Sequence, residues 1–197
     1  GPLRKESVAG IAALGAPAVP VLALNYMDVA VAPQNFFQLG LAPEDEARSA
    51  AENAIRRNLR SAAAMVPRTD WGERALAAFS QRFTELGGRV TKAARYEPTA
   101  RDFTAPIQEL LSLDASDARH RALVSLLGKK SEFEPRRRDD IDLIFVAARP
   151  TEGRLIWPQL RYSRAADLPA YATSLIYSGT PEPELLGMAF CDMPWML

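Results

Sequence analysis

The sequence predicts an α/β fold with a mainly parallel sheet and helices on both of its faces. Three observations predict it. Apolar, strand-like runs alternate with segments of helical period almost from end to end. The run "IDLIFVAA" at 141–148 is apolar nearly throughout, as suits a parallel strand covered on both faces. Residues 62–96 read as strand, helix and strand, in the roughly 35 residues that a right-handed crossover takes.

Each element has its own signal. "LRKESVAGIAAL" sets Leu3, Val8, Ile11 and Leu14 close to one helical face, and Gly15 and Pro17 end it. Residues 19–24 read as a buried strand and 36–39 as a second, short one. A helix follows, with Pro43 in its first turn, Glu44, Asp45 and Glu46 at its positive end, and Arg56, Arg57 and Arg60 near the other. Its inner face, Ala47, Ala51, Ala54, Ile55 and Leu59, is mostly small, which allows close approach to a sheet. Residues 62–66 form a strand. The next helix spans 71–86, with Leu76, Phe79, Phe83 and Leu86 at spacings of three and four, and Gly87-Gly88 closes it. "RVTKAARY" is a more polar strand. Asp102 can cap the helix "FTAPIQELLSL"; Asp114 or Ser116 caps the next, which Gly128 ends. Pro150 opens "TEGRLIWPQLRY", and Pro158 should kink or shorten it. "LPAYATS" and "LLGMAFC" are the last strands.

Composition narrows the function. Lys+Arg and Asp+Glu both number 24, so the formal net charge is +0, which argues against a nucleic-acid binder. Cys191 is the only cysteine, so no intramolecular disulfide and no cysteine-rich zinc site is available; in its apolar strand it reads as a buried, inert thiol. His120 is the only histidine, flanked by Arg119 and Arg121, and reads as a surface residue rather than a catalytic base or metal ligand. "GKK" at 128–130 follows a helix and reads as its end, with solvated lysines. No apolar run approaches the roughly 18 residues of a membrane helix. The chain starts with neither an initiator Met nor a signal peptide, and its first residues read as the interior of a longer protein.

The turn "PRTDWG" at 67–72 has neither the dinucleotide fingerprint nor the phosphate-loop pattern. Asp70 is placed to cap the helix at Trp71, and Arg68, Asp70 and Trp71 are placed to line a cleft at the carboxyl ends of the strands. "NYMD", "TSLIYSG" and "CDMPW" also follow predicted strand ends, so the candidate ligand-facing residues are Asn25, Arg68, Asp70, Trp71, Ser174 and Tyr177, with Asn25 from a different lobe. The charge run "EPRRRDDID" reads as an exposed connector. Arg136, Arg137, Arg138, Asp139 and Asp140 are its candidate partner surface; three consecutive arginines cannot all point one way, so a single anion pocket is not expected.

Larger stretches resemble a known family. "FEPRRRDDIDLIFVAARPTEGRLIWPQLRY" and "DLPAYATSLIYSG" do so, with "GPLRKESV", "VPVLALNY", "FFQLGLAPEDEA" and the terminal "LLGMAFCDMPWML", in order along most of the chain. Together they resemble the LpoA/LppC family of outer-membrane lipoproteins that activate bifunctional penicillin-binding proteins. The resemblance implies part of a type 1 periplasmic-binding-protein-like domain, two parallel-sheet α/β lobes around a cleft. Residues 1–42 would be part of an incomplete first lobe and 43–197 most of the second. The chain is then expected to lack the first strands of lobe one, the final return to it, an N-terminal helical-repeat domain and a lipidated cysteine.

It also implies a non-catalytic periplasmic protein with no cofactor and no metal, attached to the outer membrane through an anchor elsewhere. Its partner would be a bifunctional class A penicillin-binding protein. The alternative is a periplasmic receptor for an amino acid or similar solute, which needs polar groups such as Asn25, Asp70, Ser174 and Tyr177 to converge. An α/β enzyme stands third.

Overall fold

The computed structural model describes residues 5–24, 33–39, 42–128 and 132–191. The chain divides into two compact units, Gly1–Ala42 and Pro43–Leu197.

The first unit holds helix α1 (Lys5–Ala12) and two strands, β1 (Val21–Ala23) and β2 (Phe36–Gln38), paired in parallel with Val21 opposite Phe36. Val8 and Ala12, one helical turn apart, bury themselves with Ala23 and Phe36. The face expected from the sequence is thereby corrected. Ile11 is 37% and Leu14 87% exposed, because only the i, i+4 pair Val8 and Ala12 faces this small core, and Leu14 falls beyond the helix end. Leu3 lies outside the described residues.

The second unit is a five-stranded parallel sheet in the order β4-β3-β5-β6-β7: β3 is Ser61–Pro67, β4 Arg89–Tyr96, β5 Leu143–Val146, β6 Ala170–Thr173 and β7 Met188–Cys191. Helices α2 (Pro43–Arg56) and α3 (Asp70–Glu85) cover one face, and α4 (Thr104–Leu111) and α6 (Pro150–Leu160) the other. Strand period accounts for the division. Ala62, Ala64 and Val66 of β3, with Leu143 and Phe145 of β5, meet α2 and α3. Ala63, Met65, Ile144 and Val146 meet α4 and α6. Phe79 stacks on Phe145 at 4.4 Å and on Phe83 at 5.2 Å between ring centroids, filling the space that the alanines of β3 and α2 leave.

Three local expectations change. Helix α5 (Leu113–Leu127) starts directly after Ser112, whose left-handed backbone (φ 56°) turns the chain out of α4, so neither Asp114 nor Ser116 caps it; Gly128 (φ 64°) does end it. Asp102 accepts from the Thr104 backbone N–H (2.9 Å) and hydroxyl (2.6 Å), serving the start of α4 from just outside it. Pro158 is accommodated inside α6, and the irregularity follows it as a π-helical turn, Arg161–Ala165, in which Arg164 is left-handed (φ 72°).

Candidate functional site

Strand order reverses between β3 and β5, the place where ligands bind in open parallel sheets. The loops that follow these two strands carry "PRTDWG" and Arg149-Pro150. Thr69, not Asp70, is the N-cap of α3: its hydroxyl accepts from the Gly72 N–H at 3.3 Å, while Asp70 is the first helical residue and is exposed. Threonine wins because its extended backbone (φ −143°) is the one that precedes a helix. Gly72 is the constrained position of the turn, since a Cβ there would lie 2.3 Å from the Pro67 carbonyl oxygen. The turn is built to let a helix start almost in contact with the strand it leaves.

Its remaining side chains are engaged within the chain. Arg68 pairs with Glu97 at 3.3 Å. The Arg149 guanidinium sits over the Trp71 ring, 6.0 Å from its centroid. Beneath them the Tyr96 hydroxyl donates to the Ala147 carbonyl at 2.8 Å, tying the end of β4 to the end of β5. Burial, then the nearby Glu152 carboxylate, pushes the Tyr96 phenol well above its ordinary range, with Arg149 opposing.

This phenol has a measurable consequence. Its stabilising contribution is complete below the ordinary tyrosine value of 10.0 and is lost as pH rises above it, because the unfolded chain ionises first. Unfolding free energy should fall above that pH by up to about 1.4 kcal/mol per pH unit on this account. Tyr96→Phe should lower stability by about 1–2 kcal/mol at neutral pH and flatten the alkaline slope, as denaturant titrations at pH 8–11 would read.

The loop after β6 is engaged as well. The Ser174 hydroxyl donates to Glu46 Oε1 at 2.7 Å, and the Ser174 backbone N–H donates to Glu46 Oε2. Glu46 is 1% exposed and comes from the first turn of α2. Ser174 thus chelates a resident carboxylate through the two donors that a carboxylate ligand would use. Tyr177 stacks on Phe190 at 5.4 Å. Arg68, Asp70 and Trp71 therefore gather after β3, and Ser174 and Tyr177 after β6. No hydrogen bond or ion pair among the described residues joins the two groups. Asn25 lies outside the described residues.

Sequence reasoning missed Glu46, Arg149 and Tyr96. Glu46 carried a signal: it stands one turn before Ala50, in register with the buried alanine face of α2, where a carboxylate needs a donor.

The connector is more structured than its charge suggests. Arg138 makes a bidentate pair with Asp140 (2.6 and 2.7 Å), Arg137 pairs with Asp167 (2.6 Å), and Glu134 with Arg164 (3.3 Å). Arg138 N–H donates to the Leu111 carbonyl and Arg136 N–H to Ser116 Oγ, strapping the segment to α4 and α5. Asp142 Oδ2 accepts from the backbone N–H of Arg60 and Ser61, both at 2.9 Å. Arg137 and Arg138 are half-buried, whereas Arg136 and Asp139 are exposed and their side chains have no described polar partner. The expectation of an exposed connector holds for Glu134, Arg136, Asp139 and Asp140 and is corrected for Arg137 and Arg138, which paired carboxylates and a backbone hydrogen bond pull in.

Arg138 holds the Asp140 carboxyl below its ordinary value of 3.8. A depressed carboxylate stabilises above its unfolded value and stops doing so as pH falls through the folded one. Asp140→Asn should therefore cost less than about 1 kcal/mol at pH 7, since Asp140 is largely solvated, and nothing in strong acid. Melting curves of the two proteins across pH 2–7 would converge at the acid end.

Other reactive groups stand apart. His120 stacks on Phe133 at 4.0 Å between centroids. Cys191 is half-buried rather than buried, and burial raises its thiol pKa, which disfavours the reactive thiolate. Among the described residues no three His, Cys, Asp or Glu side chains are grouped to hold a metal. No described helix is long and apolar enough to cross a membrane. A groove of about 1,120 Å³ opens between the start of α4, the connector and the π-helical turn.

The whole chain, residues 1–197, matches the family model described as "LppC putative lipoprotein". It is 30% identical over 206 residues to the penicillin-binding protein activator LpoA of Vibrio antiquarius, covering 100% of this chain and 34% of that protein. It is 28% identical to the LpoA of Klebsiella pneumoniae, covering 100% of this chain and 29% of that one. The chain thus spans about a third of the length of these curated relatives. Among solved structures it is similar to the C-domain of Haemophilus influenzae LpoA, described as a regulator of PBP1A. There the TM-score is 0.59 and the identity 23%, over 95% of this chain and 52% of that one. It is similar also to a Chromobacterium violaceum protein described as a putative branched-chain amino acid ABC transporter, with a TM-score of 0.64 and 24% identity over 100% of this chain and 54% of the other. These two likenesses establish the shared fold, the periplasmic-binding-protein-like α/β architecture.

Proposed function

The chain belongs to the LppC lipoprotein family, and we propose on that premise that it is a non-catalytic module of a penicillin-binding protein activator. In this reading it works in the periplasm, in a protein anchored to the outer membrane by a lipid outside the segment described, and its partner is a bifunctional class A penicillin-binding protein. Residues 1–42 contribute to a first lobe and 43–197 form most of a second. Activation is a population shift: docking favours the active synthase only by the difference in affinity for its two states.

The observation that carries this reading against a solute receptor is the Glu46 carboxylate on Ser174. A receptor keeps such donors for its ligand. Here they are spent on the protein's own helix, and Arg68, Trp71 and Tyr177 are likewise engaged by Glu97, Arg149 and Phe190. Melting of the chain against a panel of amino acids, set beside its titration onto the cognate synthase, tests the choice. Saturable synthase binding with no solute-dependent rise in melting temperature is expected. A rise of several degrees with one solute, and no synthase binding, would establish the receptor instead.

A further inference from the structure

We propose that the Trp71 ring is a binding face for a cationic group, an ammonium or guanidinium with no carboxylate beside it, and that Arg149 is its resident occupant, passed to Glu152 when the ligand arrives. The proposal goes beyond the activator reading and does not depend on it.

The argument for this exchange starts from Glu152. It stands in the first turn of α6 and is 9% exposed. Its Oε2 is buried and has no hydrogen-bond partner among the described residues. A carboxylate held in that way costs stability, and proteins keep such costs at functional sites. The donor that would relieve it is three residues away. Arg149 is the N-cap of α6, and its side chain makes no capping bond. Its guanidinium has no carboxylate or hydrogen-bond partner among the described residues and lies over Trp71 instead. Glu152 and Arg149 both act on the Tyr96 phenol, in opposite senses, so the two charges share one neighbourhood. Positions three apart at a helix start lie on one face, so side-chain rotation alone brings the arginine to the carboxylate. Arg149 thus has two seats, the ring it occupies and the carboxylate it does not.

The ring already carries a cation, which shows what its face accepts. It lies where the strand order reverses. Beside it Asp70 is exposed and has no partner among the described residues. The other charges of the turns after β3 and β4 cancel. Arg68 pairs with Glu97 and Glu73 with Arg95, and Arg101 and Asp102 are one of each sign. Asp70, Glu152 and Arg149 are left, two acids and one base, so the group that completes the set is a cation. When it takes the ring beside Asp70 and Arg149 turns to Glu152, each of these charges has a counterpart. A free α-amino acid fits poorly, because its own carboxylate meets Asp70, and Glu46 already holds the Ser174 donors.

The test follows the Trp71 indole N–H resonance of the full chain, assigned by its loss in Trp71→Phe. The probes are N-acetyl-lysine amide and N-acetyl-arginine amide, with N-acetyl-glutamine amide as the uncharged control. Both cationic probes should shift the resonance saturably, half-way at about 10–50 mM, and the control should not. Asp70→Asn and Glu152→Gln should each weaken that binding about threefold or more, while Glu152→Gln melts no lower than the wild type, since it removes an unpartnered charge. In an Arg149→Ala background, Glu152→Gln should change binding by less than about 1.5-fold, because the exchange is gone. Titration of the same variants onto the cognate synthase separates the sources of the cation. Binding weakened about tenfold by Asp70→Asn would place it on a basic side chain of the synthase. Unchanged synthase binding, with probe binding retained, would make it a small amine. No Trp71 shift with either cationic probe up to about 100 mM would overturn the site, and an effect of Glu152→Gln that is equal with and without Arg149 would overturn the exchange. Either result leaves the activator reading standing.

Discussion

Replacing Glu46 with alanine should lower the unfolding free energy by about 2–4 kcal/mol, a large effect for a single polar group. The reason is asymmetric. The carboxylate is buried, and its removal strands the Ser174 hydroxyl and backbone N–H at the end of β6 without an acceptor. Glu46→Gln, which keeps an acceptor oxygen, should cost roughly half as much. Denaturant unfolding of the three proteins reads this directly. The alanine variant also opens a chemical test. Formate or acetate should restore part of its lost melting temperature and leave the wild type unmoved, because the vacated donors are those of a carboxylate site. Equal stability of Glu46→Ala and wild type would mean that the helix and the loop are not clamped.

Gly72→Ala should destabilise by about 2–3 kcal/mol although it adds a single methyl to a helix, where alanine is normally the better residue. A Cβ at this position meets the Pro67 carbonyl oxygen at 2.3 Å and the proline ring at 2.8 Å. Backbone and a rigid ring cannot step aside as a flexible side-chain end would, so α3 must move away from β3. That shift would disturb Thr69 and the Trp71–Arg149 contact together. Gly10 is the internal control. It is also helical, but a Cβ there meets nothing within 4 Å, so Gly10→Ala should be neutral or stabilising by up to about 1 kcal/mol. Thermal melts of the two variants should move in opposite directions.

The comparison of sequence with structure divides along physical lines. The sheet of the second unit was legible because each of its signals is local and strong: the apolar run at β5, the three-and-four spacing of Leu76, Phe79 and Phe83, and the Gly87-Gly88 stop. The first unit was less so. Val8, Ile11 and Leu14 have the spacing of a buried face, but which apolar side is covered depends on how much neighbouring structure exists to cover it. The candidate site was legible as a set of loops and not as a set of contacts. "PRTDWG" announces a strand-to-helix turn, yet nothing in it says that Arg149, 78 residues beyond Trp71, closes over the ring. Glu46 and Ser174 are separated by 128 residues, so their pairing is a product of the fold alone. The connector shows the reverse case. Its blocks of like charge read as a solvated run because the partners of Arg137 and Glu134, Asp167 and Arg164, lie in and just past a turn whose path is set by a proline and a left-handed arginine.

The measurement that tests the central claim most directly is the rate of peptide crosslinking by the cognate bifunctional synthase, with its lipid-linked substrate, as the full chain is added. An activator module should raise the rate saturably, at the concentrations where it binds. A rate that stays flat while a correctly folded chain is titrated to saturation would contradict the activator reading.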